Sequence, residues 1–202
     1  MNFLKQAEET IIAEETAKLF FAKSIADVTI RDIAIQVGIG EATIYRRFGN
    51  KYNLVLIVAK FLQDKVFSQH FDIKATNGYE YLRRFYEAFI NIYKETPEYY
   101  KFINEFDAFV TNNSNENMTS YEEGIDAFRQ SFIEAYKNGL NDGSVQVVED
   151  IDAFYFASTH SLMGLCKKLA DRNILTQDYN LDKVKEIQVL IDTILYRLNK
   201  NR

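Results

Sequence analysis

Apolar side chains recur along most of this chain at intervals of three and four residues, the period of helices that bury one face. Leu4, Ala7, Ile11, Ile12, Leu19 and Phe20 mark the inward side of a first helix over 3–23. Beyond the connection Lys23–Asp27, Ile30, Ile33, Ala34 and Val37 define a short second helix, and Ile44 with Phe48 a short third one from Glu41 to Phe48. Asn50 opens a longer helix to about Phe67, striped by Leu54, Ile57, Val58, Phe61 and Leu62. After the polar break at 72–78, the stripe Leu82, Phe85, Tyr86, Phe89, Ile92 and Tyr93 predicts a helix that stops at Glu95-Thr96-Pro97, with Pro97 placed to open the next one. Tyr99, Phe102, Ile103, Phe106, Phe109 and Val110 continue the period up to a polar loop at 111–119. Tyr121, Ile125, Phe128, Phe132 and Tyr136 then predict a helix over about 120–138, followed by a turn through Gly139 and Gly143. Asp150 starts a helix whose stretch Ala153–Cys166 carries no formal charge, and Leu181–Leu198 is a last amphipathic helix. Long runs of this period predict an all-α chain.

The segment Thr29–Phe48 has the pattern of a helix-turn-helix. Thr29 and Asp32 are spaced for a capping box, in which a hydroxyl and a carboxylate satisfy the free amides at a helix start. Gly38 stands where a helix ends in a left-handed residue, and Gly40 can cap the next. At 100° per residue, Ile44 and Phe48 fall on one side of the third helix, so Ala42, Thr43 and Arg46 point away, flanked by Tyr45 and Arg47. Such a face suits a DNA major groove: the backbone can come close at Ala42, and Arg46 can pair with the O6/N7 edge of a guanine. Thr43, Tyr45 and Lys51 are types that hold phosphates, and Thr29 and Arg47 complete the expected DNA-binding set. The competing reading is a plain helical hairpin with both arginines solvated.

Ala17, Leu19, Phe20, Thr29, Arg31-Asp32-Ile33-Ala34, Val37-Gly38-Ile39, Thr43-Ile44-Tyr45, Phe48 and Asn50-Lys51 together resemble the DNA-binding domain of the TetR family of bacterial transcriptional regulators. The resemblance implies an N-terminal three-helix DNA-binding unit with a helix-turn-helix, here residues 1–52, and a C-terminal helical ligand-binding and dimerisation domain, residues 53–202. It further implies a homodimer and a small-molecule inducer. Gly40 and Glu41 depart from the Ser and Lys that the family often carries, which removes one phosphate contact. Glu41 either accepts from a cytosine amino group or favours the helix N-terminus.

Charge refines this picture. Residues 1–52 hold seven basic and seven acidic side chains, so the net charge of −5 lies wholly beyond them. The only cysteine, Cys166, rules out an internal disulfide and fits a reducing compartment. The N-terminus has acids where a secretory signal has its apolar core, and no apolar run is long enough to span a bilayer, so a cytoplasmic protein with no membrane partner is expected. No phosphate-cradling glycine loop, metal-ligand cluster or nucleophile motif is seen, so neither an enzyme nor a cofactor or metal is expected.

In the C-terminal part, Phe85, Phe89, Phe106 and Phe128 are candidates for an inducer pocket, with ordinary core packing as the alternative. An uncharged helix in so small a chain predicts burial against a second copy, through Ala157, Ser161, Gly164 and Leu165 with Ile187, Ile191 and Ile194 of the last helix, with both helices closing the core of the single chain as the alternative. The expected function is a sequence-specific regulator, a repressor released by an inducer from a pseudo-palindromic duplex. A helical protein-binding adaptor that keeps the fold without DNA is the alternative. The even charge balance predicts modest non-specific DNA affinity and a shallow dependence on salt. Titration of a random duplex at several salt concentrations measures that slope, and a steep one contradicts the expectation.

Overall fold

The structure is a computed structural model that describes residues 3–112, 118–171 and 182–200. Among them it has nine helices: α1 (Phe3–Ala22), α2 (Ile30–Val37), α3 (Glu41–Phe48), α4 (Lys51–His70), α5 (Gly78–Glu95), α6 (Pro97–Asn112), α7 (Thr119–Asp142), α8 (Ile151–Ala170) and α9 (Lys183–Leu198). The all-α class expected from periodicity is observed. The expected loop at 111–119 falls partly on residues 113–117, and the expected helix start Leu181 on 172–181, both outside the described residues. Among the described residues no helix is long and apolar enough to cross a membrane.

The chain forms two compact units. The first, residues 1–65 and 101–124, contains α1 to α3, most of α4 and α6, and the first turn of α7. Its α1 packs on α2, and α2 on α3. The buried face of α1 is Ile12, Ala13, Thr16, Ala17 and Phe20, while Ala7 and Ile11 are exposed. The expected inward stripe is therefore displaced: the pair 12/13 continues at 16/17 and 20, and Ile11 lies beside that line rather than on it. The side chain of Leu4 is outside the described set. Phe20 stacks on Phe102 with ring centroids 6.1 Å apart, and Glu105 accepts the Ile25 amide at 2.8 Å, so α6 anchors the segment that leads into α2.

The second unit, residues 66–100 and 125–202, is built on α5, α8 and α9, which pack on one another, with α7 beside them. Two buried tyrosine hydroxyls of its core are paired. Tyr86 and Ser158 share a hydrogen bond of 2.8 Å, and Tyr100 donates to the Phe89 carbonyl at 2.8 Å. Cys166 is fully buried, and burial pushes its thiol up to about 12, which makes it a packing residue rather than a nucleophile.

Helix α7 runs past Gly139 to Asp142 instead of turning near 138, and Gly143, with φ of 78°, is the residue that takes the left-handed conformation. Gly139 stays helical because it is a contact point. A Cβ on Gly78, at the start of α5, would lie 2.2 Å from the Gly139 nitrogen and 2.6 Å from the Ala135 carbonyl oxygen. Neither obstacle is a movable side chain. Gly78→Ala is accordingly expected to cost roughly 1–3 kcal/mol, seen as a lower urea midpoint at unchanged slope.

Candidate nucleic-acid interface and effector cavity

The turn before α3 is built as its residues dictate. Thr29 caps α2 in a complete capping box: its hydroxyl accepts from the Asp32 amide at 3.1 Å, and the Asp32 carboxylate accepts the Thr29 amide at 2.8 Å. Gly38 is left-handed at φ 76°, which L side chains rarely adopt, and its amide donates to the carbonyls of Ala34 (3.0 Å) and Ile35 (3.3 Å). Two residues later, Gly40 is extended and accepts the Thr43 amide at 2.8 Å, which starts α3.

Helix α3 buries Ile44 and Phe48. Ala42, Tyr45 and Arg46 are exposed, Tyr45 to 51%, and Thr43 is half-buried. The remaining three expected contacts are engaged inside the unit. Arg47 forms an ion pair with Glu8 of α1. Lys51 donates to the Ala26 carbonyl at 3.3 Å, and partial burial lowers its pKa against the pull of Asp27 and Asp32. The Thr29 hydroxyl, besides capping α2, donates to the Asp32 carboxylate at 2.6 Å. Spacing assigns a residue to a helix face but not to a partner distant in the chain, so the pairings of Arg47 with Glu8 and of Lys51 with the Ala26 carbonyl are absent from the sequence pattern, whereas that of Thr29 with Asp32 belongs to the expected capping box.

Three of the four phenylalanines expected at a pocket come together in the second unit. Phe85 stacks on Phe128 with centroids 4.5 Å apart, and Phe89 lies 6.4 Å from Phe128. Phe106 belongs to the other unit, where it stacks on Phe102 at 5.9 Å and meets the Tyr121 ring at 5.1 Å. Phe85 and Phe128 line a cavity of about 280 Å³ together with Phe67, Phe71, Asp72, Tyr81, Ala127 and Ser131. Phe89 does not line it but touches Phe71, 6.2 Å away. Phe71 and Asp72 escaped the sequence reading because they follow the last residue of α4, where helical periodicity says nothing.

On α8, Ala157, Ser161 and Gly164 are exposed and Leu165 is half-buried, with Phe156 (43% exposed) on the same outward side. Ile187, Ile191 and Ile194 of α9 instead lie in the core of this one chain, because α5 and α8 occupy that stripe. The apolar side chains that α9 turns outward are Val189 and Tyr196.

Residues 12–58 match the family model for bacterial regulatory proteins of the tetR family. No curated protein matches the chain. Among solved structures, a TetR transcription regulator of Haloarcula marismortui is similar at a TM-score of 0.76 and 15% identity, over 95% of this chain and 96% of that one. A TetR-family regulator of a Rhodococcus species is similar at 0.73 and 16%, over 94% and 99%. A transcriptional regulator of Saccharomonospora viridis, solved in complex with choline, is similar at 0.68 and 20%, over 97% and 99%. Residues 12–58 thus match the N-terminal model of the tetR family, and the described residues have the all-helical fold seen in TetR-family transcriptional regulators.

Proposed function

We propose that this protein is a homodimeric, ligand-responsive repressor that sets two copies of α3 into successive major grooves of a pseudo-palindromic operator. The carrying observation is α3 itself: with Ile44 and Phe48 buried, a short face of Ala42, Thr43, Tyr45 and Arg46 is left for base edges and phosphates. Half-sites about one helical turn apart, roughly 34–36 Å, follow from a two-fold pair of such helices. Thr29, Arg47 and Lys51 act mainly by fixing the pose of α3, since each is tied to a neighbour within its own unit.

The DNA-binding part is residues 1–52 and the ligand-binding and dimerising part 53–202. Helix α4 runs through that division, from the first turn after α3 to Phe67 on the wall of the aromatic cavity. An inducer seated there shifts the dimer toward a form that no longer fits both half-sites, by as much as it binds that form better. The choline-bound state of the S. viridis regulator supports a small-molecule ligand. Dimerisation is assigned to the outward side of α8 and α9, with Phe156, Ala157, Ser161 and Gly164 facing a second copy alongside Val189 and Tyr196.

Two measurements test this. In fluorescence anisotropy with a duplex selected from random DNA, Arg46→Ala is expected to weaken binding by about 1–3 kcal/mol and to relax preference at one base position. Equal binding by the variant removes α3 as the reader. A Cβ at position 164 would meet no atom within 4 Å, so Gly164→Arg leaves the single chain's packing intact but blocks close approach of another helix. Sedimentation is expected to show a folded monomer for the variant at concentrations where the parent protein is dimeric.

A further inference from the structure

Glu8 lies on α1, outside the helix-turn-helix, yet its carboxylate is the ion-pair partner of Arg47 on α3. The two side chains sit differently: Glu8 is 56% exposed, whereas Arg47 is tucked in at 21%. Their pairing draws the guanidinium back against its own unit. It does so incompletely, because among the described residues the Arg47 Nη1 is buried and finds no hydrogen-bond partner. A buried donor without an acceptor is costly. The carboxylate, and not a full set of hydrogen bonds, therefore holds this pose.

The position of Arg47 on α3 gives it a second place to go. It stands one turn after Thr43 and next to the exposed Arg46, at the flank of the face that Ala42, Thr43 and Arg46 present. The flanks of a recognition helix in the major groove run beside the phosphates of the groove walls. A guanidinium grips a carboxylate or a phosphate with the same pair of parallel N–H groups, so the two anions compete for it. The other acids of α1 pair away from α3: Glu9 with Lys5, Glu14 with Lys65 and Glu15 with Lys18. Glu8 is the acid of that helix placed to control a cation of the reading helix.

We infer that Glu8 takes the place of a backbone phosphate on Arg47, and so lowers by one per subunit the number of phosphates that the protein neutralises. This rests on α3 being the helix that reads DNA. Glu8 is a positioning residue: it touches no DNA and acts through the arginine. It weakens the hold on duplexes in general while leaving the base-reading side chains of α3 as they are.

The test is fluorescence anisotropy of the full chain with a random duplex between about 50 and 200 mM salt, for the parent protein, Glu8→Gln, Arg47→Gln and the double variant. The slope of log affinity against log salt counts the counterions released on binding. A variant that merely loosens the fold lowers affinity at every salt concentration and leaves that slope alone. Glu8→Gln is expected to steepen it by about 0.9 per subunit, which enlarges the loss of affinity across the range about threefold to fourfold per subunit. Arg47→Gln is expected to keep the parental slope, and the double variant to return to it. A parental slope in Glu8→Gln overturns the assignment. So does a steeper slope that persists in the double variant, since the lost charge then acts on DNA without Arg47. A shallower slope in Arg47→Gln overturns it as well, because Arg47 is then already on a phosphate in the parent protein. These three results leave α3 as the reader, whereas failure of the parent protein to bind any duplex overturns that reading and the role of Glu8 together.

Discussion

Two side chains one turn apart, Ile44 and Phe48, hold α3 against the rest of its unit, and everything proposed for DNA passes through that contact. An eight-residue helix has too few internal hydrogen bonds to survive alone in water. Its cap at Gly40 lacks a side-chain hydrogen bond, so local capping adds little. Burial of Ile44 and Phe48, worth about 1.5–3 kcal/mol each, is what keeps the helix formed and decides which side remains exposed. The well-capped α2 and the left-handed Gly38 then set the direction in which α3 departs.

The polar groups around α3 divide the work of positioning and contact. Arg47 is drawn to Glu8, Lys51 to the Ala26 carbonyl, and Thr29 to Asp32. These pairings order the unit without DNA, so less conformational freedom is left to lose on binding. They also withdraw charge from the surface. With seven basic and seven acidic residues over 1–52, a weak general attraction to phosphates is expected, and discrimination is proposed to rest on the small set of side chains that α3 still exposes.

The second unit sets a cluster of aromatic rings beside the aliphatic core that α5, α8 and α9 share. Phe85 alone approaches the rings of Phe71, Tyr86, Phe89, Phe128 and Phe132. Rigid rings leave gaps that flexible side chains would close, and the cavity beside Phe71 and Phe128 is such a gap. Close backbone approach at Gly78 and Gly139 brings the start of α5 against α7, the two helices that supply Phe85 and Phe128.

The amino-acid sequence by itself determined the helical period, the capping box of Thr29 and Asp32, the two glycines of the turn, and the side of α3 that Ile44 and Phe48 bury. All of these are interactions between residues close in the chain, and short-range spacing encodes them directly. Only the tertiary structure decided which partner each surface meets. Arg47 pairs with Glu8 across 39 positions, and Phe106 joins Tyr121 rather than Phe85. Ile187, Ile191 and Ile194 pack inside their own chain, leaving Val189 and Tyr196 outside. A 3.6-residue period specifies that a face is buried, but the neighbour that buries it is chosen by the packing of distant elements.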